Sequence, residues 1–402
     1  MPLPLSGLRV LAVEQYGAGP FGTQFLAQLG AEVIKIESPD GGDVSRSLGP
    51  YYAEGVAPDA ASLFFQSFNH NKKSITLNLK AAEGREVFAR LAAGADAVAC
   101  NLRGDVPARL GLTYPQLKRH NPRLVCAHLT AYGRSGKRAA WPGYDYMMQA
   151  EAGYFMLTGE PETPPARFGL SVIDFMTGLG MAYALTAALL SAQRDGVGRD
   201  VDISLFDMAL YNLNYLALWF LNAGHAQQRA PRSAHASLTP CQLYRSRDGW
   251  IYLMCNKEKF WPLLCEHIGR PELAADPRFA NFSKRLANRA LLTELLDAEL
   301  AKRSTAEWLR HFDGAVPAAP VNDIRQALEN PFAAQSGLFC DLPLGNAESG
   351  TGALRILANP VRCGETLPPA PAPRLGEHTD SVLREAGFDD STLQRLRAGK
   401  VI

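Results

Sequence analysis

One carboxylate, Asp174, closes the apolar run Ala166-Arg-Phe-Gly-Leu-Ser-Val-Ile-Asp174, and a long helical pattern begins directly after it, with Gly178 and Gly180 near its start. The pattern predicts a strand that hands over to a helix, with the acid at the junction. There Asp174 can act as an N-cap, accepting from backbone N–H groups that lack helical partners at the positive end of the helix dipole. The same donors, with small residues beside them, would leave its second oxygen open to an incoming carbonyl, which suits a nucleophile. The two roles are compatible, because a capped carboxylate stays ionised.

A second cluster lies near the start. Gly17-Ala-Gly19-Pro-Phe-Gly22 has the form G-x-G-x-x-G, between a strand expected at Leu8 to Glu14 and a helix at Thr23 to Leu29. Glu37, at the end of the next expected strand, stands about where a ribose-binding acid would be. The motif fits a backbone that approaches a phosphate-bearing ligand, and equally a tight turn that needs small residues. Lys72, Lys73, Lys80, Arg103 and Arg109 fall near strand ends, where open α/β sheets bind ligands; solvated surface charge is the plainer use of any one of them.

The elements that must position these groups alternate. After the opening βαβ unit, a helix is expected over Ala82 to Ala93 and strands at Ala97 to Cys100 and Leu124 to Leu129. Beyond the helix that follows Asp174, a turn and strand run from Gly196 to Asp207, and an amphipathic helix continues to about Asn222. A polar linker, Ala223 to Thr239, leads to a hairpin over Cys241 to Cys255 turning at Asp248-Gly249. Helical patterns follow through Phe312, Val316-Pro-Ala-Ala-Pro320 marks a return, and a helix pair from His378 to Ala398 ends the chain.

Length and composition set the outer limits. At 402 residues, 47% hydrophobic and 20% charged, the chain should form more than one domain or one large discontinuous one. A net charge of +1 gives no electrostatic case for nucleic acid, so a bound anion must be held by a local basic cluster. Seven scattered cysteines without a C-x-x-C pair fit reduced thiols in a cytoplasm, and Met-Pro-Leu-Pro-Leu-Ser-Gly, with no basic stretch leading into a long apolar run, is not expected to act as an export signal. Phe175 to Gln193 approaches membrane-spanning length, yet its Ala, Gly, Thr and Ser content between Asp174 and Arg194 predicts a buried core helix.

Taken in order, several of these stretches resemble the family III CoA-transferases and the related α-methylacyl-CoA racemases. The carriers are Gly19-Pro20, Leu29-Gly-Ala-Glu-Val-Ile-Lys-Ile-Glu37, Asn71-Lys-Lys-Ser-Ile75, Gly143-Tyr-Asp145, Asp174 before the Gly178 helix, Gly196-Val-Gly-Arg199 and Gly376-Glu-His-Thr379. The resemblance implies an α/β fold with a Rossmann-like large domain formed by both chain ends (1–222 and 326–402), a smaller inserted α+β domain (223–325), and a cytoplasmic, interlocked homodimer. It implies CoA transfer between an acyl-CoA, such as succinyl-CoA, and a free carboxylic acid, with Asp174 carrying first an anhydride and then a CoA thioester. CoA is a substrate, and no metal or redox cofactor is expected. CoA-binding positions carry over to Tyr16, Gly17 and Ala18, to Leu77, Asn78, Leu79 and Lys80, to Asn101, Leu102 and Arg103, and to Arg109, with Tyr144 and Asp145 beside the pantetheine arm.

Three departures from formyl-CoA transferase make formate and oxalate poor candidates for the acid pair. Ser38 replaces a CoA-contacting arginine, Gly17 replaces a glutamine near the reacting groups, and no glycine run appears near Ser237 to Cys241, where a mobile lid would be. Racemases place a histidine where Tyr144 stands, and tyrosine, with an ordinary pKa of about 10, is a poor base near neutrality. Transfer is therefore expected over racemisation, an NAD-dependent oxidoreductase using the Gly17 to Gly22 turn over neither. A CoA-binding protein without turnover is a further alternative. Arg167 could pair an acceptor carboxylate.

Overall fold

Short runs buried almost throughout, Arg9–Val13, Glu32–Glu37, Ala97–Cys100 and Val125–Thr130, form the centre of one parallel sheet, and the more polar Lys73–Thr76 and Arg199–Ser204 form its edges. In the computed structural model, which describes residues 2–343, 353–365 and 367–402, its six strands are β1 (Arg9–Val13), β2 (Glu32–Glu37), β3 (Lys73–Thr76), β4 (Ala97–Cys100), β5 (Val125–Thr130) and β6 (Arg199–Ser204). Their order is β3-β2-β1-β4-β5-β6, every neighbouring pair parallel. The helices between them are α1 (Ala18–Gln28), α2 (Leu63–Asn69), α3 (Ala82–Ala93), α4 (Val106–Leu110), α5 (Tyr114–Leu117), α6 (Asp145–Glu151) and α7 (Val172–Asp195), with α8 (Leu205–Tyr211) after β6. The chain steps outward from β1 to β3, then returns to lay β4 on the other side of β1. A crevice opens at the carboxyl ends of β1 and β4, where the direction of winding reverses.

The chain divides into two compact units. The first comprises Met1–Ala152, Phe168–Asn214 and Gln335–Ile402, and the second Gly153–Arg167 and Tyr215–Ala334. These bounds differ from 223–325 in that the return to the first unit falls at Gln335 and not at 326, and residues 215–222, 326–334 and the segment 153–167 join the second unit. There Arg229 donates to the carbonyls of Pro161 and Pro164, at 3.1 Å each, and the Arg232 N–H donates to Glu160 at 2.9 Å. The hairpin is present as β7 (Cys241–Ser246) and β8 (Gly249–Met254), and Trp261, Phe279, Trp308 and Phe312 fill the core beneath it. Val316 to Pro320 is not a return: Ala318–Pro320 forms β9, an antiparallel third strand against β8.

Two corrections concern the first unit. The helix expected from Thr23 begins at Ala18, so Gly19 and Gly22 of the G-x-G-x-x-G stretch lie inside it. Gly22 serves helix packing, and Gly19 makes room for Asn101. A Cβ on Gly22 would come 2.3 Å from the Gly178 carbonyl oxygen, and one on Gly178 would come 2.4 Å from that of Ala18, so α1 and α7 meet backbone to backbone. Gly178→Val is expected to destabilise the protein by about 1–3 kcal/mol or more through overpacking; an unchanged thermal midpoint would contradict this packing. The Gly376-to-Thr379 stretch also has a structural use. The N–H groups of Ser74 and Thr76 on edge strand β3 donate to His378 Nδ1 (3.3 Å) and Thr379 Oγ1 (3.0 Å), so the chain's end covers the sheet's open edge.

The α7 helix is the one described helix long and apolar enough to span a membrane, and half of that apolar stretch is buried within the protein. Its packing on α1 and β5 agrees with a core helix.

Candidate active site

Two residues stitch the crevice. After β4, Asn101 accepts from the Gln15 N–H at 2.9 Å and donates to the Gln15 carbonyl at 2.6 Å, tying together the loops that follow β4 and β1. Gly19 allows this, because a Cβ there would lie 2.8 Å from Asn101 Cβ. The resulting cleft, about 360 Å³, is lined by Tyr16, Gly17 and Ala18, by Asn101, Leu102 and Arg103, and by Tyr144 and Asp174. A neighbouring cleft of about 210 Å³ across the ends of β1, β2 and β3 is lined by Leu77, Asn78, Leu79 and Lys80, and shares Gln15 and Leu102 with the first. Leu77 and Leu79 turn their side chains into the core, so backbone is what they offer a ligand. Arg109, on α4, lines neither cleft, and Asp145 lies buried behind the first.

Asp174 occupies the third position of α7, and Ser171 is the N-cap. The expected N-cap role is therefore corrected, as is the expected strand before it. Residues 168–171 find hydrogen bonds on a side chain instead of a neighbouring strand: Gln149 accepts from the Phe168 N–H at 2.9 Å and donates to the Leu170 carbonyl at 3.0 Å. Gln149 also donates to Asp145 Oδ1, and Asp145 Oδ2 accepts the Asp174 N–H at 2.9 Å. One short helix, α6, thus sets both the entry into α7 and the backbone of Asp174.

The electrostatics follow from that geometry. Asp174 is 7% exposed, and burial, followed by the nearby Asp145 charge, pushes its carboxyl up to about 7. It does not stay fully ionised at neutrality as an N-cap would. Space beside it is kept by Gly17, whose Cβ, were there one, would sit 3.0 Å from Asp174 Oδ2. The neighbouring Tyr16 holds φ at +70°, unusual for a residue with a side chain. Its N–H donates to Asp43 Oδ1 at 3.1 Å, and Asp43 Oδ2 lies 2.8 Å from Lys35 Nζ, both side chains fully buried. The Tyr16 ring meets Tyr144 edge-on at 6.3 Å, and its hydroxyl is pushed above the usual tyrosine range by burial and then by Asp174.

The positioning role of Asp43 and Lys35 escapes a reading of the sequence. The only local signal is Asp43-Val-Ser45, in which Asp43 caps a short helical turn by accepting from the Ser45 N–H. Two residues that looked available for ligands are already committed. Glu37 pairs with Arg46 at 2.6 Å and accepts from Ser74, so its oxygens already serve the protein's own donors, which counts against a ribose-binding role. Lys72 is fully buried against Glu14 at 2.8 Å.

A buried carboxylate, Asp174, thus lines a cleft at the switch point of a parallel sheet, the place where open α/β sheets bind their ligands. The chain matches the model of CoA-transferase family III over residues 5–379 and belongs to that family. It is 34% identical over 391 residues to a succinate–glutarate CoA-transferase of Agrobacterium fabrum, covering 95% of each chain. It is likewise 34% identical to an acetyl-CoA:oxalate CoA-transferase of Acetobacter aceti over 387 residues, again 95% of each. Among solved structures, a CAIB/BAIF family protein from Brucella suis superposes with a TM-score of 0.81 at 33% identity, over 96% of this chain and 100% of that one. The protein is a CoA-transferase.

Proposed function

We propose that this enzyme moves CoA from an acyl-CoA, with a dicarboxyl-CoA such as succinyl-CoA as the leading donor, to a free carboxylic acid. Asp174 Oδ attacks the thioester carbonyl, the C–S bond breaks, and CoA thiolate leaves a mixed aspartyl anhydride. The thiolate then attacks the aspartyl carbonyl, releasing the donor acid and leaving an aspartyl-CoA thioester. The acceptor carboxylate attacks that thioester, and the thiolate finally takes the acceptor acyl group, restoring Asp174. No net proton is consumed. The observation that carries this reading is the placement of Asp174 on the cleft wall, beside Gly17 and the first turn of α1, whose leading N–H groups have no intrahelical acceptors and suit a developing oxyanion.

Succinate as one acid of the pair is favoured by the name of the Agrobacterium relative; identity to an acetyl-CoA:oxalate enzyme is equal, so overall similarity does not choose the acid. Arg167 falls in the second unit and is already engaged there or with a neighbour, which weakens it as a free acceptor clamp. A cytoplasmic homodimer with interlocked chains is part of the same proposal. It is supported by seven free cysteines and by large apolar side chains left exposed on α7 and α8, among them Tyr183 and Tyr211, each 78% exposed.

The test is incubation with a panel of acyl-CoAs, hydroxylamine trapping and peptide mass analysis: a hydroxamate on Asp174 is expected with the true donor, and none with any donor would remove the mechanism. The pH profile gives a second check. The nucleophile is the deprotonated form, and its raised pKa means that activity rises with pH through about 7, falling about tenfold per unit below it. A profile flat from pH 5 to 8 with chemistry rate-limiting would contradict the burial argument.

A further inference from the structure

We propose that Asp105 is a built-in competitor for substrate phosphates, holding the Arg103 and Arg109 guanidiniums in the free enzyme and weakening the cleft's grip on CoA. The inference rests on the reading of the cleft as a CoA site.

Arg103 lines the cleft just after β4, and its fork is closed on Asp105: Nε to Oδ1 is 2.6 Å and Nη2 to Oδ2 is 3.0 Å. Arg109, one helical turn on, brings Nη2 to 3.1 Å from the same Oδ2. A single carboxylate therefore occupies two cations. Helix capping does not explain it. Asp105 stands at the N-cap position of α4 yet makes no capping hydrogen bond, unlike Asp43, Asp323 and Asp389, whose side chains all cap. Both of its oxygens are spent on arginine.

The geometry the Arg103 guanidinium presents to the carboxylate is the one a phosphate would use, two parallel N–H donors to two oxygens, and Arg109 adds a single contact to one of them. Both arginine side chains are well exposed, so the exchange needs no unfolding. A phosphate that binds must break the Asp105 contacts, and the displaced carboxylate remains close by as a like charge. Affinity is thereby held below what Arg103 on the cleft wall, with Arg109 just outside it, would give without the carboxylate.

The experiment compares wild type with Asp105→Asn, which keeps shape and capping capacity, and with Asp105→Ser. Binding of inorganic pyrophosphate, adenosine 3′,5′-bisphosphate and CoA is measured by calorimetry at low and high salt. The expected result is about threefold to tenfold tighter binding of all three probes by both variants at low salt, a gap that narrows as salt screens it. A matching fall in KM for acyl-CoA is expected, and no gain in an Arg103→Ala/Arg109→Ala background. Equal or weaker binding by the variants, or no pyrophosphate binding by any form, overturns the inference; Asp105 would then orient the arginines. Pyrophosphate binding that responds to Asp105 in a protein that does not bind CoA would leave the competitor standing and sink the CoA reading.

Discussion

Replacing Asp174 with alanine is expected to cut CoA transfer by roughly 10³- to 10⁶-fold, because the variant loses the covalent route and not merely a contact. CoA binding should survive within a few fold, since most of the cleft wall comes from the segments after β1, β4 and β5 and not from Asp174. Asp174→Asn should show the same loss with an opposite effect on stability. The native carboxyl has a pKa near 7 against an unfolded value near 4, so the folded state binds more protons between these limits and stability falls as pH rises through that window. Above pH 7 the full cost is present in the wild type, whereas the carboxamide of Asp174→Asn brings no charge to bury. The variant should therefore be more stable than wild type by up to about 4 kcal/mol at pH 8 and nearly equal at pH 4. Thermal melts at the two pH values read this directly, and equal midpoints at pH 8 would show that Asp174 is not desolvated. Substantial turnover by either variant would exclude a covalent role.

Asp145 should be the next most sensitive position, for two separable reasons. Its Oδ2 holds the Asp174 N–H and its Oδ1 holds Gln149, which in turn holds Phe168 and Leu170. Asp145→Ala leaves a buried N–H without its partner and frees the entry to α7, so kcat is expected to fall by roughly 10- to 100-fold. Asp145→Asn keeps an oxygen for the N–H but removes a negative charge beside Asp174. Its activity should be milder in loss, and the acid limb of its pH profile should move below that of wild type. An acid limb that stays in place would mean that burial alone sets the Asp174 pKa.

Much of the sheet is legible in the sequence because central parallel strands such as β4 and β5, buried throughout, read as short apolar runs, while β6 and the β7–β8 hairpin are marked by the turn residues Gly196 to Gly198 and Asp248-Gly249 beside them. The α3 helix, where polar and apolar positions keep a helical period, spans the residues that period marks out. What is not legible depends on partners distant in sequence. The glycines of the Gly17 to Gly22 stretch look like a phosphate loop until distant partners are seen to lie against them, α7 against Gly17 and Gly22 and Asn101 against Gly19. The apolar run before Asp174 looks like a strand because alternation cannot reveal that its hydrogen bonds go to the Gln149 side chain. The Asp43–Lys35 pair sits in what reads as a polar loop and a strand, and only the fold places it beneath Tyr16. Asp174 itself stands out from its neighbours, yet its raised pKa does not, since Asp145 approaches it from another helix.

The most direct test follows one oxygen atom. With an acceptor acid labelled with ¹⁸O in its carboxylate, each forward transfer through the anhydride leaves one labelled oxygen on Asp174. Mass analysis of the peptide carrying that residue after multiple turnovers should show ¹⁸O on the Asp174 carboxyl, dependent on donor acyl-CoA. Rapid CoA transfer with an unlabelled Asp174 would mean that the acids exchange without this side chain, and would contradict the covalent route.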